Sequence, residues 1–165
     1  MPSCRPDLIP DVLYAVMELE PRTILDVGAG AGKWGVLCRE YLRYWKNRDV
    51  EVDGIEPHEA YRCPAHDCYR VMSTLDVRDV LGIVKNYDLV LMIDVIEHLP
   101  RDDGERLLGA VTGHYIVTTP NYWSGQGVAF GNEYERHVSR WTLGDFTNAR
   151  LIKDRVGRTH IFGWR

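Results

Sequence analysis

Four carboxylates recur at one kind of place in this sequence. Asp26 closes the apolar run "TILD" ahead of Gly28, Gly30 and Gly32. Glu56 follows "DGI", Asp76 comes just past "CYRVMS", and Asp94 follows "YDLVLMI". Each of these runs reads as a strand, and in an open α/β sheet ligands bind outside the carboxyl ends of the strands. Any one of these acids alone is accounted for as a solvated loop residue or a helix N-cap. Four at successive strand ends make an acidic rim, which repels phosphate and suits a ligand with positive charge, hydroxyls and amino donors.

S-adenosylmethionine carries all three, as a sulfonium, an α-ammonium, a ribose diol and an adenine amine. The glycines let the backbone approach such a ligand closely, and Asp26 is expected to face its cationic end. The competing dinucleotide fingerprint, G-x-G-x-x-G, needs a third glycine where this chain has Lys33. Glu56 would bind a ribose diol in either scheme. Trp34, one turn past the glycines, is read either as core or as a flank of the cofactor.

A second group of residues suits the acceptor side. Methyl transfer from a sulfonium is a displacement that depends mainly on alignment. An oxygen acceptor must also lose a proton, which an imidazole accepts near neutral pH. His98 in "IEHLP" and His137 in "NEYERHVSRW" follow the fourth and fifth strands. His137 is the expected acid/base residue; His98 is the second candidate, with helix start or loop packing as its other reading. The polar, aromatic stretch over 120–140 is expected to be an active-site loop, because long loops in compact domains are more often functional. The other reading is a surface loop anchored to the core by Trp141. His58 and His114 read as surface residues, and His160 lies in a terminal strand. Cys63, His66 and Cys68 offer three ligands at most, with Pro64 among them, so no metal is expected.

The elements that must position these groups alternate. A helix over 7–19 precedes the strands "RTILDV", "VEVDGI", "CYRVMS", "YDLVLMI" and "HYIVTT", with helical stretches "GKWGVLCREYLRYW", "VRDVLGIV" and "RDDGERLLGAV" between them. "RLIKDRV" and "RTHIFGW", separated by Gly157, read as a closing hairpin. The expected fold is α/β: a Rossmann-like, doubly wound, mostly parallel seven-stranded sheet with a C-terminal antiparallel hairpin and helices on both faces. One domain over 1–165 is expected, with an N-terminal helix over 1–20. The net charge is −4 and no stretch is strongly basic, which argues against a nucleic-acid partner. No secretory signal is visible, and "LVLMIDVI" is too short for a membrane span and holds an aspartate. Four cysteines without framework spacing suggest free thiols in a reducing compartment, hence a cytoplasmic location. Oligomeric state is left open.

At these residues the chain resembles the class I S-adenosylmethionine-dependent methyltransferases. The matching pieces are "ILDVGAGAG", "DGIEPH", "LDVRDV", "YDLVLMIDVIEHL" and "YIVTTPN", in the family's order, over roughly 22–121, extended by "RHVSRWTLGDF". "D-x-x-E-H-L" and the later "P-N…H" are similar to the small-molecule branch with ubiquinone-biosynthesis-like members. The resemblance implies Asp26, Gly28, Ala29 and Gly30 around the methionine moiety and Glu56 with Pro57 at the ribose. It implies Asp76 on the adenine amine, the Val77 amide near the adenine ring, and Asp94 near the amino acid portion. Asn121, Asn132, Tyr134, Glu135 and Arg136 are the expected acceptor contacts. The chain is shorter than larger members, leaving little room for a substrate-capping domain, and lacks the Asn/Asp-Pro-Pro-Tyr motif of many nucleic-acid amino methylators. The implied activity is methyl transfer from S-adenosylmethionine, leaving S-adenosylhomocysteine, to a small molecule at a hydroxyl oxygen. N- or C-methylation, or a non-catalytic cofactor-binding subunit, stay open.

Overall fold

The computed structural model describes residues 4–120, 125–146, 149–155 and 158–163; Asn121 lies outside them. Helix α1 (Ile9–Leu19) follows a 3-10 turn, with Pro10 in its first turn, where no intrahelical donor is lost. It buries Val12, Ala15 and Val16, an i, i+3, i+4 stripe. Strand β1 (Thr23–Val27) leads through the glycine turn into α2 (Lys33–Cys38), which continues as a π-helix over Arg39–Trp45. The buried side of this segment is Trp34, Cys38 and Leu42. Trp45, the last residue of the π-helix, is 77% exposed.

Strands β2 (Glu51–Ile55) and β3 (Val71–Ser73) are joined by 3-10 turns alone. The one-turn helix α3 (Leu81–Val84) leads to β4 (Leu89–Ile93), α4 (Arg101–Ala110) and β5 (His114–Thr119). Every residue of β4 is buried, as a strand covered on both faces requires. Successive side chains point to opposite faces. Ile24, Leu89, Leu91 and Ile116 thus pack with α1 and α2 in one layer, while Leu25, Val90, Met92 and Val117 pack with Val84, Leu107 and Trp141 in the other.

The expectation of a seven-stranded doubly wound sheet is corrected. The winding comprises five parallel strands in the order β3-β2-β1-β4-β5. A further parallel strand would need a crossover of a dozen or more residues, usually helical. The described segment 125–146 holds only the 3-10 turns Glu133–Glu135 and Leu143–Asp145, so the winding stops at β5. The backbone of β6 (Ala149–Arg155) and β7 (Arg158–Gly163) adds an antiparallel edge in the order β5-β7-β6. Among the described residues, no helix is long and apolar enough to cross a membrane.

Candidate functional site

The chain runs outward from β1 to β2 and β3, then returns to place β4 on the other side of β1. That reversal splays the following loops apart at the carboxyl edge and opens a crevice. A cavity of about 460 Å³ lies there. Its walls come from the glycine turn, the ends of β2, β3 and β4, and the loop that follows β5.

The glycine turn is shaped by close approach. Gly28 has φ +69°, and a Cβ there would lie 2.6 Å from the Val95 side chain. The N–H groups of Gly28 and Ala29 both donate to the carbonyl of Ile55, which ties the turn to the end of β2. Glu56 follows immediately and is buried, with its carboxylate aimed back at the turn. Its Oε2 accepts the Gly30 N–H at 2.8 Å and its Oε1 the His58 N–H at 2.9 Å. Burial pushes this carboxyl up, opposed by those two donors. Each oxygen keeps a further lone pair for a ligand donor.

The other acids have separate fates. Asp94 holds a left-handed conformation, φ +54°, uncommon for a non-glycine residue. Its N–H donates to the Thr118 carbonyl, and its Oδ1 accepts the Thr118 hydroxyl at 2.8 Å. It lines the cavity. Asp76 also lines it, but Arg78 grips both of its oxygens, at 2.8 and 2.7 Å. That guanidinium holds the carboxyl below its ordinary range. A ligand amine would have to share Asp76 with Arg78.

Asp26 is where expectation fails. It does not line the cavity; it is 1% exposed and points into the layer beneath the turn. There the Tyr69 hydroxyl donates to its Oδ2 at 2.5 Å and itself accepts the Gly35 N–H at 3.0 Å. The reason is parity: Asp26 shares the face of Ile24, which is turned toward α1 and α2. It supports the turn and does not face a ligand.

Burial raises the Asp26 carboxyl to about 7, a rise opposed by the Tyr69 hydrogen bond and reinforced by nearby Glu56. The native state therefore holds this proton between about pH 4 and about pH 7, where the unfolded chain has released it. Its contribution to stability must fall as pH rises through that window. Asp26→Asn removes the titration, so the variant should gain on the wild type from about pH 5 to about pH 7. Urea midpoints of both proteins at the two pH values check this; a constant difference would refute the raised carboxyl.

Ala29, Gly30, Pro57 and Val77 line the cavity, and Trp34 does so while remaining 4% exposed, both core residue and cavity wall. On the opposite wall, His98 and His137 meet edge to face with ring centroids 4.8 Å apart. Burial lowers the His98 pKa, opposed by its hydrogen bond to the Arg136 carbonyl. Asn132, Tyr134 and Glu135 also line the cavity. Asn132 caps the turn by accepting the Tyr134 N–H, and Glu135 accepts the Tyr61 hydroxyl at 2.9 Å. Arg136 is corrected: its guanidinium pairs with Glu133 at 3.0 Å, away from the lining, and only its carbonyl takes part.

Tyr61 and Glu97 line the cavity although sequence reasoning passed them over. Glu97 lies inside the quoted "D-x-x-E-H-L", so its signal was present but unassigned; Tyr61 sits in a stretch without periodicity. Of the Cys63, His66 and Cys68 group, His66 donates from Nε2 to the Gly30 carbonyl at 2.8 Å, and the Cys63 thiol lies 3.4 Å from the Ala31 carbonyl. These two residues brace the glycine turn from outside.

No protein-family model and no curated protein matches this chain. Among solved structures it is similar to TehB from Haemophilus influenzae, at 14% identity over 94% of this chain and 62% of that one, TM-score 0.63. It is similar to an O-methyltransferase family protein from Burkholderia thailandensis, at 14% identity over 96% of this chain and 56% of that one, TM-score 0.58. It is also similar to the small RNA methyltransferase HEN1, at 16% identity over 96% of this chain and 25% of that one, TM-score 0.62. The chain thus spans little more than half the length of the first two. The likeness is one of fold: this is the Rossmann-like architecture of the class I methyltransferases.

Proposed function

We propose that the cavity binds S-adenosylmethionine and that the chain transfers its methyl group to a hydroxyl oxygen of a small molecule, in the manner of the small-molecule branch. The observation that carries the reading is Glu56, a buried carboxylate oriented by two backbone donors against a glycine turn at the sheet's switch point. Its outward lone pairs suit a ribose diol. The cavity is within the size range of small-molecule sites, about 300–1,000 Å³. The Gly28–Gly30 backbone and Asp94 would hold the amino acid end, and Val77 with Asp76 the base. Bound there, S-adenosylmethionine supplies a methyl carbon activated by a sulfonium.

The chain's own residues supply orientation and a place for the acceptor's proton. His98 and His137 stand on the acceptor wall, and Glu135 is positioned by Tyr61. As the acceptor oxygen bonds to the methyl carbon, its hydroxyl proton must leave past these groups. A small RNA methyltransferase shares the fold, yet the net charge of −4 opposes a phosphate backbone. We therefore favour a small acceptor, and a cytoplasmic enzyme in keeping with its four free cysteines. Calorimetry with S-adenosylhomocysteine and with NAD tests the reading: the first should bind and the second should not. Binding of NAD alone would overturn it.

A further inference from the structure

We propose that Glu97, His98 and His137 hold a divalent transition-metal cation on the acceptor wall of the cavity, leaving coordination positions open for acceptor oxygens. The proposal rests on the methyl-transfer reading for its purpose but not for its geometry. The three residues offer one carboxylate oxygen and two imidazole nitrogens, all within 4.8 Å of one another. Among the described residues, this is the group of His, Cys, Asp and Glu side chains that converges in this way. All three line the cavity, and Glu97 is 3% exposed.

The surrounding backbone keeps the group together. Glu97 and His98 end a 3-10 turn after β4, and His137 comes from the loop after β5. The two segments are tied side by side: the N–H groups of Val138 and Ser139 donate to the Glu97 carbonyl at 2.9 and 3.1 Å. The Trp141 indole N–H donates to the Ile96 carbonyl at 3.1 Å, with its ring buried in the core. His98 Nδ1 faces the Arg136 carbonyl at 3.2 Å. A carbonyl only accepts, so Nδ1 carries the proton and Nε2 keeps its lone pair. A ligating histidine is usually oriented in this way, by donating its other ring N–H to an outer group.

Two imidazoles and one carboxylate suit manganese, iron, cobalt or zinc better than magnesium or calcium, which prefer all-oxygen sites. Three protein ligands leave positions for one or two acceptor oxygens. The site therefore favours an acceptor with neighbouring oxygens, such as a vicinal diol or a catechol. A coordinated hydroxyl is more acidic, so its proton can leave to water as the O–CH₃ bond forms and the C–S electron pair returns to sulfur. No electron is gained or lost overall.

The test uses chelator-treated, tag-free full chain and Mn²⁺ or Co²⁺ alone. Calorimetry should show one Mn²⁺ per chain, and Co²⁺ should give visible bands of mixed nitrogen and oxygen coordination. His98→Ala and His137→Ala should each weaken binding by roughly tenfold or more, since even outer-shell partners are worth about 10–100-fold. Their S-adenosylhomocysteine affinity should be retained, which also shows that both variants fold. Absence of Mn²⁺ and Co²⁺ binding by the wild type, or binding indifferent to both substitutions, would overturn the site. Cation binding is read without nucleoside. If the cation binds and S-adenosylhomocysteine does not, the metal site stands and the methyl-transfer reading falls.

Discussion

His137→Ala should lower turnover by about 10²–10⁴-fold while leaving S-adenosylhomocysteine affinity nearly unchanged. The imidazole stands on the acceptor wall, edge to face with His98, and the cofactor reading assigns it no contact. Its backbone N–H donates to the Gln126 carbonyl at 3.0 Å, and that bond survives removal of the ring. The loss therefore falls on the step in which the acceptor gives up its proton, whether the ring takes that proton or holds a cation beside it. Steady-state kinetics with saturating methyl donor should show the fall in kcat, with KM for the donor little changed. If the variant instead binds cofactor poorly and keeps its turnover at saturation, His137 belongs to the cofactor half.

Glu56→Ala should weaken S-adenosylhomocysteine binding roughly ten- to hundredfold. In the proposed reading its charge-assisted hydrogen bonding to the ribose is lost, and a bond to a charged group is worth about 1.5–3 kcal/mol. The N–H groups of Gly30 and His58 lose their acceptor at the same time, so the turn itself loosens. Glu56→Gln should not rescue. Both carboxylate oxygens accept from backbone donors, and an amide would set an N–H₂ against one of them. Calorimetry on variants whose thermal unfolding remains cooperative checks both expectations. Wild-type affinity in Glu56→Ala would move the ribose site elsewhere and remove the main support for the functional reading.

Much of this was legible in the chain. The continuous apolar run of β4 marks a strand buried on both faces, and alternation of strand and helix dictates a parallel sheet. The "VGAGAG" turn announces close approach of backbone to ligand. Glu56 lines the cavity because it directly follows its strand, where the chain must turn over the edge. The placement of His98 and His137 beyond β4 and β5 followed from the same rule.

What the sequence determined by itself was the order of elements and the edge at which the chemistry gathers, because hydrophobic periodicity and glycine position act locally. The tertiary structure alone decided which side chains reach the cavity. Asp26 has the same type and spacing as a ligand carboxylate, yet strand parity turns it inward to Tyr69, a residue brought near by packing. Asp76 reaches the edge but is gripped by Arg78, and Arg136 contributes a carbonyl where its charge had been expected. Glu97 and His98 meet His137 only because hydrogen bonds hold two segments together that are remote in sequence. Contacts of that kind depend on how strands and loops settle in three dimensions, and no local pattern of residues encodes them.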